Sequence, residues 1–242
     1  MKTENNDILY VVAPAYNETD NIEFFINDWY KVVDERGDKA RLVVVDDGSK
    51  DNTYDKLKKL SIDRPKLIPL TKENGGHGAA VLYAYRFAIE QGAGWIFQTD
   101  SDGQTSPDEF DEFWELRYQY DAILGDRQSG RQDGGTRIFV ENVLRSLIKI
   151  VFGVSVPDAN APFRLMRAEL VSRYIQKMPM DFNLPNVMLT TYFAFFKEKL
   201  TFRKISFKPR NAGKNSINMK RIIAIGVKAI GDFIHLRRHI ND

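Results

Sequence analysis

The pattern of hydrophobic and polar positions predicts strands that alternate with helices along the first half of the chain. Short apolar runs bounded by polar residues indicate five buried strands, and the segments between them have helical spacing. This alternation is typical of a parallel sheet covered by helices on both faces. We therefore predict an α/β fold with a mostly parallel, Rossmann-like sheet. The predicted strands cover residues 8–13, 41–47, 66–70, 95–100 and 122–126.

The second half is less regular, and its pattern predicts three helices and two strands. No segment rich in proline, glycine or serine separates the halves, so we expect one domain over residues 1–217, followed by an amphipathic helix over 218–242. Lys228 and Asp232 interrupt the apolar positions of that last helix. No apolar run reaches the length of about 18 residues that a transmembrane helix needs. The predicted elements cover residues 136–152, 161–166, 184–198, 200–210 and 219–240.

Carboxylates follow most of the predicted strands of the first half. Glu18 comes after the first strand, Asp46 and Asp47 end the second, and Asp126 ends the fifth. Ligands of such sheets lie beyond the carboxyl ends of the strands. We therefore expect these acidic strand ends to meet at one edge of the sheet and to form a site there.

The fourth strand ends in the acidic motif Asp100, Asp102 and Gln104. In an extended chain, alternate side chains point the same way. Two carboxylates and an amide oxygen are hard ligands that suit Mg²⁺ or Mn²⁺, and without a cation the carboxylates would repel each other. The alternative is a turn that caps a helix at Pro107, but Ser106 or Thr105 can supply that cap. The motif therefore favours a metal site.

Composition and charge narrow the classes of function. The absence of cysteine excludes disulfides, thiolate metal sites and cysteine nucleophiles. The first residues lack the apolar core of a signal peptide, which favours a cytoplasmic location. Residues 1–126 hold 25 acidic and 14 basic residues, and residues 127–242 hold 8 and 21. This asymmetry fits an acidic half that binds a cation and a basic half that meets phosphates or an anionic surface, and it fits two solvated faces equally well.

Four segments of the first half carry a resemblance to a known family. The stretches VVAPAYNETDNIEFFI, LVVVDDGSKDNT, ENGGHGAAVLYAYRFA and TDSDGQTSPDEF have the order and spacing of family 2 glycosyltransferases with the GT-A fold. The chain resembles the branch of dolichol- and polyprenyl-phosphate mannosyl- and glucosyltransferases, whose acidic motif is DxDxQ. The similarity continues through GDRQSGRQDGGTR, PDANAPFRLMR and FKPRNAGKNS, up to Ser216.

This resemblance implies a donor site for a nucleoside-diphosphate sugar, either a GDP-hexose or a UDP-hexose. The nucleoside pocket would be lined by Pro14, Tyr16 and Glu18, with Asp47 at the base or ribose. The cation and the donor diphosphate would be surrounded by Asp100, Ser101, Asp102 and Gln104. Arg210 and Ser216 would close over the diphosphate. The family pattern there is closer to RxxGxSK, and this chain is one residue longer before the serine, which leaves the roles of Ser216 and Lys214 open.

The resemblance also implies an acceptor phosphate held by Arg127 and Arg137, with Arg131 in place of one of them as an alternative. A hydroxyl acceptor would need a general base. Many family 2 enzymes supply it from an acidic pair at the start of a late helix, where this chain has Asn186 and no such pair. A phosphate acceptor is already anionic and needs only positioning. This favours a polyprenyl phosphate, with Asp158 as a candidate base if the acceptor is a hydroxyl.

We therefore expect a metal-dependent, inverting hexosyltransferase that uses Mg²⁺ or Mn²⁺ and has no nucleic-acid partner. Two alternatives stay open: transfer to a hydroxyl of a cell-surface glycan, and a non-catalytic binder of nucleotide sugars, since fold does not fix activity. Basic and apolar residues alternate along the final helix and along residues 136–152. These helices would place the protein on the cytoplasmic face of the membrane, unless they pack against the sheet instead.

Overall fold

The computed structural model describes residues 7–127, 135–208 and 219–240, with the backbone alone for residues 135–140 and 219–227. Its centre is a seven-stranded sheet in the order β3-β2-β1-β4-β6-β5-β7. β6 runs antiparallel to both of its neighbours, and the other paired strands run parallel. The strands are β1 (Leu9–Ala15), β2 (Arg41–Asp46), β3 (Leu67–Thr71), β4 (Trp95–Thr99), β5 (Ala122–Asp126), β6 (Phe163–Arg167) and β7 (Leu200–Lys204).

Helices cover both faces of this sheet. α1 shows why they do so, because most of its apolar positions fall on one side and are buried. A short 3-10 turn at Pro107–Glu109 leads into α4. The helices are α1 (Ile22–Asp34), α2 (Thr53–Ser61), α3 (His77–Glu90), α4 (Phe110–Leu116), α5 (Gly135–Phe152), α6 (Ala168–Ile175), α7 (Pro185–Phe195) and α8 (Met219–Arg238).

The two faces of the sheet carry separate hydrophobic cores. On the α1 side, the ring of Phe97 stacks on Trp29 at 5.2 Å between centroids and meets Phe163 edge-on at 4.7 Å. On the other side, α3, α6 and α7 pack over Ile96 and its neighbours. α5 and α8 join this second core, where the rings of Phe152 and Phe233 meet at 6.0 Å. The sheet is therefore buried on both faces, as its near-continuous apolar strands require.

The predicted α/β class and the mostly parallel sheet are confirmed. The bounds of several elements differ from the sequence pattern. β4 ends at Thr99 instead of Asp100, β7 ends at Lys204 instead of residue 210, and the helix α6 was not predicted. α6 is short and begins directly after β6, so no turn residues mark its start in the sequence. No helix among the described residues is long and apolar enough to cross a membrane.

The sheet order places a crevice at the carboxyl ends of β1 and β4. The chain runs from β1 outward to β2 and β3, and then returns to place β4 on the other side of β1. Where the order reverses in this way, the connections leave in opposite directions and open a space that ligands occupy. The residues after β1 and β4 are therefore the place to look for a site.

The loop before α7 lies very close to Gly78 at the start of α3, and a substitution at this glycine can test that approach. A Cβ on Gly78 would lie 2.3 Å from the carbonyl oxygen of Phe182, whereas one on Gly231 of α8 would meet nothing within 4 Å. We expect Gly78→Ala to lower the free energy of unfolding by about 1–3 kcal/mol through overpacking. Gly231→Ala should raise it by up to about 1 kcal/mol through helix propensity. Urea denaturation measures both, and equal effects would contradict the close approach.

Candidate functional site

A hydrogen bond joins the two strands that border the crevice. The hydroxyl of Ser101, after β4, donates to the carbonyl oxygen of Pro14 in β1 at 2.8 Å, and Ser101 is buried. The next residue after β1, Tyr16, has 39% of its surface exposed. Ser101 and Pro14 thus hold the carboxyl ends of β4 and β1 together, and Tyr16 lies directly after β1 with part of its side chain exposed. These three residues, predicted to lie in the donor site, come together in the structure.

The turn after β1 is held by Glu18. Its carboxylate accepts a hydrogen bond from the side chain of Asn21 at 2.7 Å, and its carbonyl oxygen accepts from the backbone N–H groups of Asn21 and Ile22. Its own N–H donates to the hydroxyl of Thr53 at the start of α2. Glu18 is 7% exposed. Glu18, predicted to contact the nucleoside, therefore stabilises the start of α1 and connects it to the start of α2.

Asp47, predicted to contact the base or ribose, is tied to the glycine turn before α3. Its carboxylate accepts from the Nζ of Lys72 at 2.7 Å and from the backbone N–H groups of Gly75 and Gly76 at 3.0 and 2.7 Å. Asp47 is 3% exposed. A carboxylate with this many donors orders a loop. The geometry thus gives Asp47 a structural role.

The neighbouring Asp46 has an acceptor that the fold does not use. Its Oδ2 accepts from the N–H of Ser49 at 3.3 Å and from the hydroxyl of Thr71 at 3.0 Å. Its Oδ1 is buried and has no hydrogen-bond partner among the described residues. A buried acceptor without a donor is costly unless a ligand or water supplies one. Of the pair, Asp46 is therefore the better candidate for a ligand contact. The sequence could not show this, because the two aspartates are adjacent and identical.

The acidic motif lies in a turn directly after β4. Residues 101–102 form this turn and Gly103 has a φ of 75°, so the extended-chain argument for Asp100 and Asp102 was wrong. One oxygen of Asp102 accepts from the backbone N–H of Gln104 at 3.1 Å, as in the turn considered as the alternative. Oδ1 of Asp100 lies 3.1 Å from Nε2 of Gln98 and 3.9 Å from Nε2 of His77.

The residues of this turn fit a hard divalent cation that is shared with a substrate. No group of three or more His, Cys, Asp and Glu side chains in the described parts of the chain is arranged to hold a metal alone. Mg²⁺ is typically bound by one or two carboxylates together with substrate phosphates and water. Asp100 has 25% of its side chain exposed, which leaves it accessible to a cation. The amide nitrogen of Gln104 donates to the carbonyl oxygen of Lys208 at 3.0 Å, so its oxygen is the candidate ligand atom.

Arg127, predicted to hold the acceptor phosphate, forms a bidentate ion pair with Asp158. Its Nε lies 2.8 Å from Oδ2 and its Nη2 lies 3.0 Å from Oδ1 of that carboxylate. Asp158 is fully buried. Asp158, the candidate base for a hydroxyl acceptor, is thus the partner of Arg127. A buried carboxylate that is neutralised by a guanidinium is a poor proton acceptor.

The remaining residues predicted to bind the donor or the acceptor are not described by the structure. Arg131, Arg210, Lys214 and Ser216 lie outside the described residues, and the description of Arg137 is limited to the backbone of α5. Their roles stay predictions from the sequence.

The chain has relatives among characterised glycosyltransferases. The undecaprenyl-phosphate 4-deoxy-4-formamido-L-arabinose transferase of Pectobacterium carotovorum subsp. carotovorum (strain PC1) is 26% identical over 164 residues, which cover 67% of this chain and 49% of that protein. The polyprenol monophosphomannose synthase of Mycolicibacterium smegmatis is 26% identical over 174 residues, which cover 67% and 63%. The chain thus spans about half the length of the first of these relatives and somewhat more of the second.

Solved structures show the same fold. Glucosyl-3-phosphoglycerate synthase from Mycobacterium tuberculosis, in complex with Mn²⁺, uridine diphosphate and phosphoglyceric acid, superimposes with a TM-score of 0.69 at 17% identity, covering 96% of this chain and 78% of that one. S. aureus TarS 1-349 in complex with UDP-GlcNAc gives a TM-score of 0.60 at 17% identity, covering 93% and 66%. The model of the family described as Glycosyl transferase family 2 matches residues 10–175. This match covers more than half of the sequence, and the chain therefore belongs to glycosyl transferase family 2.

Proposed function

We propose that this protein transfers a hexose from a nucleoside-diphosphate sugar to a polyprenyl phosphate, with Mg²⁺ or Mn²⁺ on the donor diphosphate. The observation that carries the proposal is the crevice between β1 and β4, where Asp100 and Asp102 follow one strand and Tyr16 follows the other. Carboxylates and an exposed aromatic side chain at the ends of two paired strands suit a nucleotide whose phosphates carry a cation. The names of the relatives support the acceptor class.

The donor would be recognised at its base by Asp46 and Tyr16. The buried Oδ1 of Asp46 can accept a hydrogen bond from a ring N–H, which both guanine and uracil present. The ring of Tyr16 offers a surface on which a base can stack. In this proposal Asp46 takes the role that we predicted for Asp47. Both GDP-hexoses and UDP-hexoses fit this arrangement.

The reaction would be a single displacement that inverts the anomeric carbon. An oxygen of the acceptor phosphate forms a bond to this carbon while the bond to the donor diphosphate breaks, and the nucleoside diphosphate leaves. The cation, when bound, neutralises the charge that develops on the leaving group. Asp100 and Asp102 would hold it, and Ser101 would keep their turn against β1 through its bond to Pro14.

The acceptor proposal is supported by the start of α7, whose first turn contains no carboxylate. This helix begins at Pro185, and the amide of Asn186 is hydrogen-bonded to Tyr85 and Gln98. Asp158 is occupied by Arg127. A phosphate acceptor needs no deprotonation at neutral pH, so the lack of a base at these two places favours it over a hydroxyl. Arg131 and Arg137 remain the sequence-based candidates for holding this phosphate.

Membrane contact would be made by the outer faces of α5 and α8. Both helices bury one side in the core, in line with the alternative that they pack against the sheet. Their outer faces nevertheless carry Ile150, which is 82% exposed, and Ile234, which is 40% exposed. Lys149, Lys228 and Arg238 are exposed on the same two helices. Exposed apolar side chains next to basic ones can insert at an anionic lipid surface. We propose peripheral association with the cytoplasmic face, where a polyprenyl phosphate would be within reach.

The metal proposal predicts loss of transfer in Asp102→Asn. Replacing one ligand charge should lower the rate by at least about a hundredfold, because the leaving diphosphate loses its counter-ion. EDTA should abolish transfer by the unchanged protein, and Mn²⁺ should restore it. Asp63→Asn, at an exposed position away from the crevice, should behave like the unchanged protein. Radiolabelled sugar transfer and urea denaturation measure activity and folding. Normal activity of Asp102→Asn in EDTA would contradict the metal site.

The acceptor proposal predicts that the phosphate of the acceptor is required. A polyprenyl phosphate should yield a glycosylated lipid, whereas the matching polyprenol and soluble sugars should yield none, because neither the first turn of α7 nor the ion-paired Asp158 supplies them with a base. Thin-layer chromatography of the lipid products measures this. A product from the polyprenol or from a soluble sugar would contradict the proposal, and binding of nucleotide sugars without transfer to any acceptor would favour the non-catalytic alternative.

The membrane proposal predicts co-sedimentation with vesicles that contain anionic phospholipid at low salt. Ile150→Glu and Ile234→Glu should each weaken binding by about tenfold, since an inserted isoleucine contributes roughly 1.5 kcal/mol. Ile62→Glu is the matched control, because Ile62 is 78% exposed beyond the end of α2. If the protein does not bind these vesicles, or if the three variants bind them equally well, the proposed membrane contact is wrong.

A further inference from the structure

A chain of hydrogen bonds runs through the core beneath the acidic turn and ends on Asp100. The hydroxyl of Tyr85 in α3 donates to Oδ1 of Asn186 in α7 at 2.8 Å. Nδ2 of Asn186 donates to Oε1 of Gln98 in β4 at 2.8 Å. Nε2 of Gln98 donates to Oδ1 of Asp100 at 3.1 Å. Three side chains from two helices and a strand thus lead to one oxygen of a proposed metal ligand.

The members of this chain lie where the fold alone would favour apolar residues. Tyr85 and Gln98 have no exposed surface and Asn186 is 2% exposed. Gln98 lies near the end of the fully buried strand β4, and Tyr85 lies in the apolar core around Ile96. Burying polar groups costs free energy that their hydrogen bonds only offset. Apolar side chains of similar size would fill this space at no such cost, so the polar set has a use beyond packing.

The direction of every bond in this chain follows from its last member. An ionised carboxylate only accepts hydrogen bonds, so Gln98 must turn its amide nitrogen toward Asp100. Its oxygen then accepts from Asn186, and the oxygen of Asn186 accepts from Tyr85. Burial, with a smaller contribution from the Asp100 carboxylate, raises the pKa of Tyr85, which keeps its hydroxyl a donor. Each group in the chain therefore donates to the next, and the last donor is an N–H of Gln98 that points at Asp100.

The backbone around this chain is held by Arg164, which has no exposed surface. Arg164 is paired with Gln98 in the register of β6 and β4. Its guanidinium donates to the carbonyl oxygen of Asn186 at 3.0 Å and to that of Ala161 at 2.9 Å. The start of α7 is thereby fixed relative to β4. A rigid frame of this kind lets a hydrogen bond restrict the rotation of a side chain.

We propose that Tyr85, Asn186 and Gln98 are positioning residues that hold the Asp100 carboxylate in the orientation that binds the divalent cation. The inference rests on the proposed function, because it assigns the chain to the metal site of that function. Partners behind a metal ligand fix its orientation and tune its affinity. Here the partners reach from α3 and α7, so the geometry of the cation site depends on how these helices pack.

The test measures binding of Mn²⁺ to the full chain by EPR, with the same fixed concentration of a nucleoside diphosphate, first UDP and then GDP, in every titration, because the site shares its cation with the diphosphate. Gln98→Met removes the donor at nearly constant size, and Tyr85→Phe removes only the hydroxyl at the far end. Tyr192→Phe is the matched control: Tyr192 is equally buried in α7, and its hydroxyl has no hydrogen-bond partner among the described residues. Asp102→Asn serves as the variant that lacks a ligand. Thermal unfolding in EDTA shows that each variant is folded at the temperature of the titration.

We expect Gln98→Met to raise the dissociation constant of Mn²⁺ by about tenfold or more, the range for groups behind a metal ligand. Tyr85→Phe should raise it less but in the same direction, and Tyr192→Phe should leave it unchanged. If Gln98→Met and Tyr85→Phe bind Mn²⁺ like Tyr192→Phe while Asp102→Asn does not bind it, the chain is structural and the inference fails with the proposed function intact. If Asp102→Asn binds Mn²⁺ normally, the metal site itself is wrong and the inference falls with it.

Discussion

The parallel pairing of β1 with β2 and β4 is the constraint on which the site depends. Ala15 is paired with Asp46 in one ladder, and Val12 is paired with Gln98 in the other. These registers bring the residues that follow the three strands to one edge of the sheet. Since β2 and β4 lie on opposite sides of β1, their connections diverge and leave a crevice there. Nucleotide, cation and acceptor would all meet at this edge.

Bringing several carboxylates to one edge creates repulsion, and the structure answers it in two ways. Some carboxylates are neutralised by cations of the fold, as Asp47 is by Lys72 and Asp158 is by Arg127. The hydrogen bonds described at Asp100 and Asp102 come from an amide side chain and a backbone N–H, and Nε2 of His77 lies 3.9 Å from Asp100. Neutral donors orient a carboxylate without cancelling its charge.

The sequence predicted the class of fold and the location of the site because both depend on local patterns. Apolar periodicity indicated the strands, and the chemistry of the residues after them indicated the crevice. It could not tell Asp46 from Asp47, because two adjacent identical side chains differ only in what they face. It did not indicate that Arg127 is the partner of Asp158, because the two residues lie 31 positions apart in the sequence. The reversed direction of β6 leaves no mark on its apolar pattern.

The buried chain behind Asp100 left one signal that the sequence analysis missed. Gln98 interrupts the apolar residues of β4 two positions before Asp100, and a buried amide needs partners. Those partners, Tyr85 and Asn186, are contributed by α3 and α7 and become visible only once the fold brings them together. In this proposal the cation site depends on the packing of the core, whereas the nucleotide contacts depend on the loops after β1 and β2.

The most direct test of this account is an anomalous difference map at the manganese edge, from crystals grown with Mn²⁺ and a nucleoside diphosphate. The account predicts one strong peak at the carboxyl end of β4, about 2.0–2.2 Å from oxygens of Asp100, Asp102 and the diphosphate, as expected for a hard octahedral cation. A peak bound elsewhere, or a diphosphate held at this edge with no metal beside Asp100 and Asp102, would contradict it.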